Sequence, residues 1–205
     1  MTVDSVERGA DPEVLKLGLS DGSSFFLRTS YLPQPLAVER LFVVGGELGE
    51  EDEAVLRLGA ACFRAERAAL TLIARSEQYT SSLSRKLEQR GHERRIVQTV
   101  MERLLSLDLV NDCRYAEMWV ESRLSRVAEG PGKLAASLQA RGIPRTIAAA
   151  AVRSLIDSEG EVRLLYRYAE KKSLDLGEND FTLRSRLGKA GFSSRAIRTA
   201  LERRD

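Results

Sequence analysis

The chain has 205 residues, of which 43% are hydrophobic, 30% charged and 6% aromatic, and the low aromatic content favours helices over a large β-sandwich. Residues 1–60 contain five basic and eleven acidic side chains, whereas residues 61–205 contain 27 basic and 19 acidic ones. The uninterrupted apolar run of roughly 18 residues that a membrane helix needs does not occur, and residues 1–12 lack the apolar core of a secretory signal. We therefore expect a cytoplasmic protein with an acidic beginning and a basic remainder.

The N-terminal sixty residues predict a small β-containing segment. Two short apolar runs, Val14–Leu19 and Ser24–Arg28, flank the dipeptide Asp21-Gly22, which is typical of a tight hairpin turn. The run Leu41–Val44 predicts a third short strand, because two glycines end it. The acids at Glu50–Glu53 suit the positive end of a helix dipole, so we expect a helix to begin there.

A threefold repeat dominates the sequence from residue 61 onward. Two leucines four apart lie on one face of a helix, and a glycine four residues later is typical of a helix that ends in the left-handed conformation. Each copy therefore predicts a short helix, a glycine turn and a second helix. The three copies are Leu83, Leu87 and Gly91; Leu134, Leu138 and Gly142; and Leu183, Leu187 and Gly191.

The residues after each glycine indicate how the second helix begins. Ser193 is a suitable N-cap, with Phe192 before it and Ile197 four residues after it as a hydrophobic staple. Pro144 starts the helix in the second copy. His92 holds the position of Phe192 in the first copy, so we interpret the single histidine as a staple residue rather than a catalytic one.

One further amphipathic helix precedes each pair, and these helices are predicted over residues 68–75, 115–126 and 162–172, with Asp112 as the cap of the middle one. The fold class that follows is mainly all-α. It consists of three tandem three-helix bundle repeats in an elongated arrangement, with a small N-terminal β-hairpin-containing segment. We divide the chain into an N-terminal segment, residues 1–60, and three helical repeats, residues 61–110, 111–157 and 158–205.

Few residues in the sequence offer catalytic or metal chemistry. Zinc sites and catalytic triads use histidine as ligand or base, and two distant cysteines, Cys62 and Cys113, do not make a disulfide framework. The segment from Gly130 to Lys133 resembles the end of a phosphate-binding loop but lacks its earlier glycine and its final Ser or Thr. We therefore expect no catalytic site, no metal and no cofactor.

Basic residues gather around the turn between the last two helices of each copy, where helix N-termini add N–H groups that favour anions. Such a surface suits either a nucleic-acid backbone or an acidic groove on a protein, and the scarcity of aromatic residues argues against sequence-specific reading of single strands. The candidate contact residues are Arg85, Lys86, Arg90, Arg94, Arg95, Arg123, Arg126, Lys133, Arg141, Arg145, Arg184, Arg186, Lys189, Arg195 and Arg198.

The middle copy carries a motif that resembles the central signature of the RecX family. The signature-like segment spans residues 107–124 and is followed by Gly130-Pro131. Together with the leucine–leucine–glycine copies, it makes residues 65–205 similar to the tandem repeats of that family. We interpret the following residues as its structural motif: Asp112, Arg114, Tyr115, Ala116, Trp119, Gly91, Gly142 and Gly191.

The resemblance implies a regulator of the RecA recombinase rather than an enzyme. RecX-like proteins bind the filament of RecA on single-stranded DNA, lodge along its groove and restrain its ATPase, strand-exchange and co-protease activities. They thereby moderate DNA recombination, DNA repair and the SOS response. For this chain the resemblance implies the RecA filament as partner; direct contact with single-stranded DNA stays open, and we expect a monomer.

Two other classes of function remain as alternatives. Three-helix units also serve as helix-turn-helix modules, so the chain could regulate by binding DNA directly. Residues 147–152 are too alanine-rich to supply base-reading side chains, which weighs against this alternative. An enzyme with an unrecognised site is disfavoured by the single histidine.

Overall fold

A computed structural model describes residues 1–33, 42–177 and 181–203 of the chain. Within these ranges the protein has three strands, one short 3-10 helix at Thr29–Tyr31 and nine α-helices. The strands are β1 (Val3–Arg8), β2 (Val14–Leu19) and β3 (Ser24–Arg28). The helices are α1 (Glu50–Ile73), α2 (Thr80–Gln89), α3 (Arg94–Ser106), α4 (Asp112–Arg126), α5 (Pro131–Gln139), α6 (Arg145–Leu155), α7 (Ser158–Lys171), α8 (Phe181–Lys189) and α9 (Ser194–Glu202).

The N-terminal strands form one antiparallel sheet in the order β1-β2-β3. The predicted hairpin is confirmed: β2 pairs with β3, Leu17 lies opposite Phe25, and Gly22 in the turn has φ +81°. Three leucines of β2 alternate into the core, which is the period of a strand with one buried face. The first strand, β1, was not predicted, because its sequence mixes charged residues with only two valines.

The third strand predicted at Leu41–Val44 is wrong in the part that the structure describes. Phe42, Val43 and Val44 lie in a turn, and Leu41 lies outside the described residues. Backbone pairing occurs just after them instead, where Val3 N donates to Gly46 O at 3.1 Å and Gly45 N donates to Val3 O at 2.8 Å. The two glycines therefore pair with β1 rather than end a strand.

Helix α1 begins at Glu50, as its acidic first turn predicted. Asp52 accepts a hydrogen bond from Gly49 N at 3.0 Å, which satisfies one N–H at the helix start. The helix then continues for 24 residues to Ile73 without a break at residue 60. The helix predicted over 68–75 is therefore the C-terminal part of α1.

The glycine turns that define the repeat are confirmed in all three copies. Gly91, Gly142 and Gly191 have φ values of +86°, +90° and +91°, the left-handed conformation that glycine adopts at low cost. The next residue closes each helix in the same way: the N–H of residue 92, 143 or 192 donates to the carbonyl of the second leucine at 3.2 Å. These are the six-to-one bonds of a Schellman motif.

The chain divides into two compact units. Unit 1 comprises Met1–Glu77 and Leu83–Val110, and unit 2 comprises Gln78–Ser82 and Asn111–Asp205. In unit 1 the sheet packs its leucines around Leu56 of α1, and α1, α2 and α3 enclose a second cluster around Leu83 and Leu87. In unit 2 a single core runs through α4 to α9.

A buried ion cluster connects the sheet to the helices in unit 1. Arg28, only 9% exposed, donates from Nε to Glu66 at 3.0 Å and from Nη1 to Asp11 and Glu13 at 2.8 Å each. Arg103 on α3 donates to the same Glu13 at 2.8 Å. Burial acts to lower the pKa of Arg28, but the hydrogen bonds to Glu13, Asp11 and Glu66 outweigh it and hold that pKa above the ordinary arginine value. The N-terminal segment is therefore packed onto the first repeat.

Hydrogen bonds to side chains join the helices of the third repeat in unit 2. Ser193 caps α9 as predicted, because its Oγ accepts from Ala196 N at 3.2 Å. Glu161 on α7 accepts from Ser193 N at 2.7 Å and from Ser193 Oγ at 2.9 Å. Helix α7 starts at Ser158, four residues earlier than predicted, because Asp157 accepts from Gly160 N at 2.6 Å and caps it.

The glycine turns of the second and third repeats each contact the start of an earlier helix within unit 2. Gly130 N donates to Ala190 O at 3.0 Å, and Gly132 N donates to Gly191 O at 2.9 Å. A Cβ on Gly130 would overlap the backbone of Gly191. At the Gly142 turn, Ser81 Oγ donates to Arg141 O at 2.8 Å. Both turns thus bind a helix N-terminus through their carbonyl oxygens.

Candidate functional site

One face of helix α4 collects aromatic, hydroxyl and cationic side chains; we call it the α4 face, and it consists of Tyr115, Trp119, Ser122, Arg123 and Arg126. These positions recur at spacings of three and four residues, so they lie along one side of the helix. The adjoining side of the helix carries Ala116 and Val120, both fully buried in the unit 2 core. Tyr115 and Trp119 pack against that core and are half-buried, as are Ser122 and Arg123, whereas Arg126 is exposed.

Aromatic rings and a guanidinium group stack on the α4 face. The rings of Tyr79 and Tyr115 lie 4.5 Å apart, centroid to centroid. The guanidinium carbon of Arg141 lies 4.6 Å from the ring centroid of Trp119, within cation–π range. Arg141 is held there by a 2.7 Å hydrogen bond from Nη1 to Ser137 O. Burial raises the pKa of Tyr115, and the neighbouring Tyr79 adds to the rise.

A buried carboxylate neutralises two of the predicted contact residues. Glu129, 6% exposed, accepts from Arg123 Nε at 3.0 Å and lies 3.0 Å from Lys133 Nζ. Burial acts to raise the pKa of Glu129, but the hydrogen bonds from Arg123 and Lys133 outweigh it and hold that pKa below its usual value. Arg123 and Lys133 therefore stabilise the start of α5, and their charge is partly compensated.

Next to this cluster the surface forms a shallow depression of about 150 Å³. Its lining consists of Trp119, Ser122, Arg123 and Arg126. Arg126 contacts the hydroxyl of Ser122 and is exposed. The depression therefore combines an indole ring with two guanidinium groups, which is the set of groups that contacts bases and phosphates in single-strand binding proteins.

Most of the other predicted contact residues lie on the surface of their own unit. Lys86 is half-buried and Arg184 is exposed, and each of these side chains has an interaction partner within the protein. Within the described residues, the exposed members are Arg85, Arg90, Arg94, Arg95, Arg126, Lys133, Arg145, Arg184, Arg186, Lys189, Arg195 and Arg198. Whether they act together on one partner stays a prediction.

The signature segment positions α4, and one of its predicted roles is wrong. Asn111, not Asp112, is the N-cap, because its Oδ1 accepts from Cys113 N at 2.9 Å and from Arg114 N at 3.0 Å. Asp112 instead accepts from Thr80 N at 2.8 Å. Helix α4 therefore starts at Asp112, three residues before the predicted start. Asparagine is a strong N-cap residue, so the signal was present in the sequence.

The remaining candidate residues carry no arrangement of reactive groups. Within the described ranges, no group of three His, Cys, Asp or Glu side chains is placed to hold a metal ion. Both cysteines are free thiols, and burial raises the pKa of Cys62. His92 is half-buried; burial lowers its pKa, and Arg64 and Arg90 contribute to the same effect. Among the described helices, none combines the length and hydropathy needed to cross a membrane.

Comparisons with known proteins agree on one family. The family description "RecX, second three-helix domain" matches residues 111–152. "Regulatory protein RecX" of Treponema pallidum (strain Nichols) is 30% identical over 143 residues, which are 70% of this chain and 78% of that protein. "Regulatory protein RecX" of Pseudomonas fluorescens (strain SBW25) is 31% identical over 141 residues, 68% of this chain and 90% of that protein.

Two solved structures share the fold. One, described as "Crystal structure of regulatory protein RecX", aligns with a TM-score of 0.78 and 18% identity over 98% of both chains. The other, RecX from Lactobacillus salivarius, aligns with a TM-score of 0.59 and 21% identity over 70% of this chain and 96% of that chain. The first of these covers the N-terminal sheet as well as the helical repeats.

Proposed function

Because this chain belongs to the RecX family, we propose that it binds the filament that RecA forms on single-stranded DNA and restrains the ATPase, strand-exchange and co-protease activities of RecA. It acts in the cytoplasm as a monomer, as a regulator rather than an enzyme, and it needs no cofactor. Its effect is to moderate recombinational repair and the SOS response.

The observation that carries this proposal is the surface chemistry of the second repeat. The α4 face presents Trp119, Arg126 and the Arg141 guanidinium beside one another. Arg126 and Arg145 are exposed and form no ion pair among the described residues. A nucleoprotein filament offers both phosphates and carboxylates to such cations, and exposed bases to the indole ring.

Repetition supports a filament as the partner. Each repeat has its own exposed cations around its glycine turn. A filament repeats the same contact at every subunit, so several weak contacts add through effective concentration without one strong site. Loss of one repeat should therefore weaken inhibition more than loss of any single cation.

Direct regulation of DNA is the runner-up function. It would need a recognition helix, and α6 is the equivalent helix of the second repeat. Ala148, Ala151 and Val152 of α6 are buried in the core. Ala149 and Ala150 between them have no side-chain donors or acceptors to offer to base edges.

Titration of RecA ATPase on single-stranded DNA tests the proposal. We expect the full chain to lower the steady-state ATPase rate, and a chain that binds the filament without changing that rate would contradict the regulatory role.

The charge-reversal pair Arg126→Glu/Arg145→Glu should raise the half-inhibition concentration by roughly tenfold, because each reversal removes an attraction and adds a repulsion. The matched pair Arg67→Glu/Arg153→Glu makes the same charge change at exposed positions outside the set of candidate contact residues.

Fluorescence anisotropy with labelled DNA and no RecA separates the two functions. Binding to DNA alone at the concentrations that inhibit RecA would favour the direct DNA regulator.

Under the proposal, inhibition should also weaken as salt is raised, because docking of the cations releases counterions. An inhibition that does not respond to salt would contradict a contact surface made of these cations.

A further inference from the structure

The three glycine turns have the same backbone but different surroundings. In the third repeat, Ala190 O and Gly191 O accept hydrogen bonds from the N–H groups of Gly130 and Gly132 at the start of α5. In the second repeat, Arg141 O accepts from Ser81 Oγ at the start of α2. Both turns therefore supply acceptors at a helix start. Backbone N–H groups, which have no partner within their own helix, donate to the third-repeat turn, and a serine hydroxyl donates to the second-repeat turn.

The turn of the first repeat is open. We call residues 90–95 the Gly91 turn. A Cβ placed on Gly91 meets nothing within 4 Å. Among the described residues none donates a hydrogen bond to Arg90 O or Gly91 O, the equivalents of the two acceptors used in the third repeat. His92 is half-exposed, whereas Ile143 and Phe192 at the same position are 2% and 5% exposed.

We propose that the Gly91 turn is a docking site for the N-terminus of a helix on a partner protein, and that this partner is a RecA subunit of the filament. The inference rests on the proposed function, because that function supplies the partner. The fold itself shows twice that this backbone motif binds a helix start.

The chemistry of the turn specifies the helix start that fits it. The occupant must donate N–H or O–H groups, because Arg90 O and Gly91 O can only accept. It must begin with a small residue, because the close approach at Gly130 leaves no room for a Cβ. It should carry acidic residues in its first turn, since Arg90, Arg94 and Arg95 are exposed around the site and acids are favourable at helix starts.

The same chemistry argues for a protein rather than a nucleic acid. A phosphodiester backbone has only acceptors, so it cannot bond to the two carbonyl oxygens and is repelled by their partial negative charge. A DNA strand held by its phosphates would contact the three arginines and leave the two carbonyl oxygens without a donor. A helix N-terminus contacts both the carbonyl oxygens and the arginines.

The variant Gly91→Asn tests the inference without disturbing the fold. Asparagine tolerates positive φ better than most residues, and its side chain would enter open space. The matched control is Gly22→Asn, because Gly22 has φ +81° and also meets nothing within 4 Å. Both variants should keep the helical circular dichroism of the parent protein and lower its thermal midpoint by a similar small amount, because both place a side chain at positive φ.

The readouts are co-sedimentation of the labelled protein with RecA filaments and inhibition of their ATPase. We expect Gly91→Asn to weaken both by roughly tenfold, the loss of one well-placed contact in an interface, and Gly22→Asn to change neither. A second variant, Arg90→Glu/Arg94→Glu, should weaken filament binding in the same direction without altering the turn.

The outcomes separate this inference from the proposed function. If the parent protein inhibits RecA and Gly91→Asn inhibits equally well, the docking site is wrong and the proposed function stands. If the parent protein does not bind the filament, both are wrong. An equal loss of binding to single-stranded DNA alone would overturn the protein partner, and self-association of the parent protein that Gly91→Asn abolishes in sedimentation velocity would overturn RecA as the occupant.

Discussion

The two compact units hold their parts together by different chemistry. In unit 1 a cluster of two arginines and three carboxylates connects the sheet to α1 and α3. In unit 2 the third repeat meets the second through glycine backbone, where Gly130 and Gly132 bond directly to the Gly191 turn. The first contact depends on charge, and the second depends on the absence of side chains.

The difference teaches where each unit is vulnerable. A buried ion cluster repays its desolvation only while every charge has its partner. A contact between two backbones does not depend on nearby charges. It leaves no space for an added atom, because protein interiors are packed as densely as crystals of small organic molecules. Unit 1 should therefore respond to isosteric loss of charge, and unit 2 to the addition of a single methyl group.

The largest expected effect is that of Gly130→Ala. Its new Cβ would overlap the backbone of Gly191, so the third repeat must move away, at a cost of about 3 kcal/mol or more. Chemical denaturation measures the loss, and hydrogen exchange should locate it in unit 2. The matched control is Gly188→Ala in α8, where the new Cβ would meet nothing within 4 Å. It should raise the free energy of unfolding by about 0.5–1 kcal/mol. Equal behaviour of the two variants would contradict the backbone contact.

The next effect should come from Glu66→Gln in unit 1. This change keeps the shape of the side chain but leaves Arg28 with only two carboxylate partners, Asp11 and Glu13, at a cost of about 2 kcal/mol of stability. Faster hydrogen exchange should appear in the sheet and in α1. The control is Glu7→Gln, which removes the carboxylate from the exposed ion pair with Lys16. It should lower the free energy of unfolding by less than about 1 kcal/mol. A Glu66→Gln protein as stable as the parent would show that the cluster adds no stability.

The third prediction concerns the pH dependence of the stability that Glu129 contributes. The pKa of Glu129 in the folded protein lies below its usual value of 4.5, so its ion pairs stabilise the fold above that pH and lose this effect as pH falls through the folded pKa. Glu129→Gln should therefore cost about 1 kcal/mol of stability at pH 7 and progressively less as pH falls through the folded pKa, when denaturation midpoints are compared. The exposed Glu121→Gln serves as control. A cost that persists at low pH would mean that shape rather than charge matters at this site.

The smallest expected effect is at the α4 face. Arg141→Met removes the guanidinium over Trp119 and should cost about 0.5–1 kcal/mol. Trp119 is the single tryptophan, so its fluorescence reports the change directly. Arg145→Met alters an exposed residue and should leave the emission unchanged. The same emission should respond when RecA filaments are added, and an unchanged spectrum would place the contact elsewhere.

Features that depend only on residues close together in the sequence were predictable from it. The leucine–leucine–glycine spacing is enough to place α2, α5 and α8 and their left-handed turns, because helix periodicity and glycine conformation are local properties. The hairpin at Asp21-Gly22 and the cap at Ser193 follow from turn and cap preferences in the same way. Where two good caps were adjacent, local preference did not decide between Asn111 and Asp112.

The candidate site was only partly predictable. Its cations were recognisable as a basic set, but the ring contact of Tyr79 with Tyr115 joins residues 36 positions apart, and no spacing rule points to it. The compensation of Arg123 and Lys133 by Glu129 was equally hidden, since the sequence shows many acids near many bases.

The sequence by itself determined the family, the helical repeat and the conformation of each glycine turn, because these follow from residue types a few positions apart. Only the tertiary structure decided that β1 completes the sheet and that Arg28 pairs with Glu66. It also decided that Gly142 and Gly191 lie close against the start of another helix, whereas a Cβ on Gly91 would meet nothing within 4 Å. Those outcomes depend on which distant segments meet, and on the burial that makes a charge or a methyl group costly there.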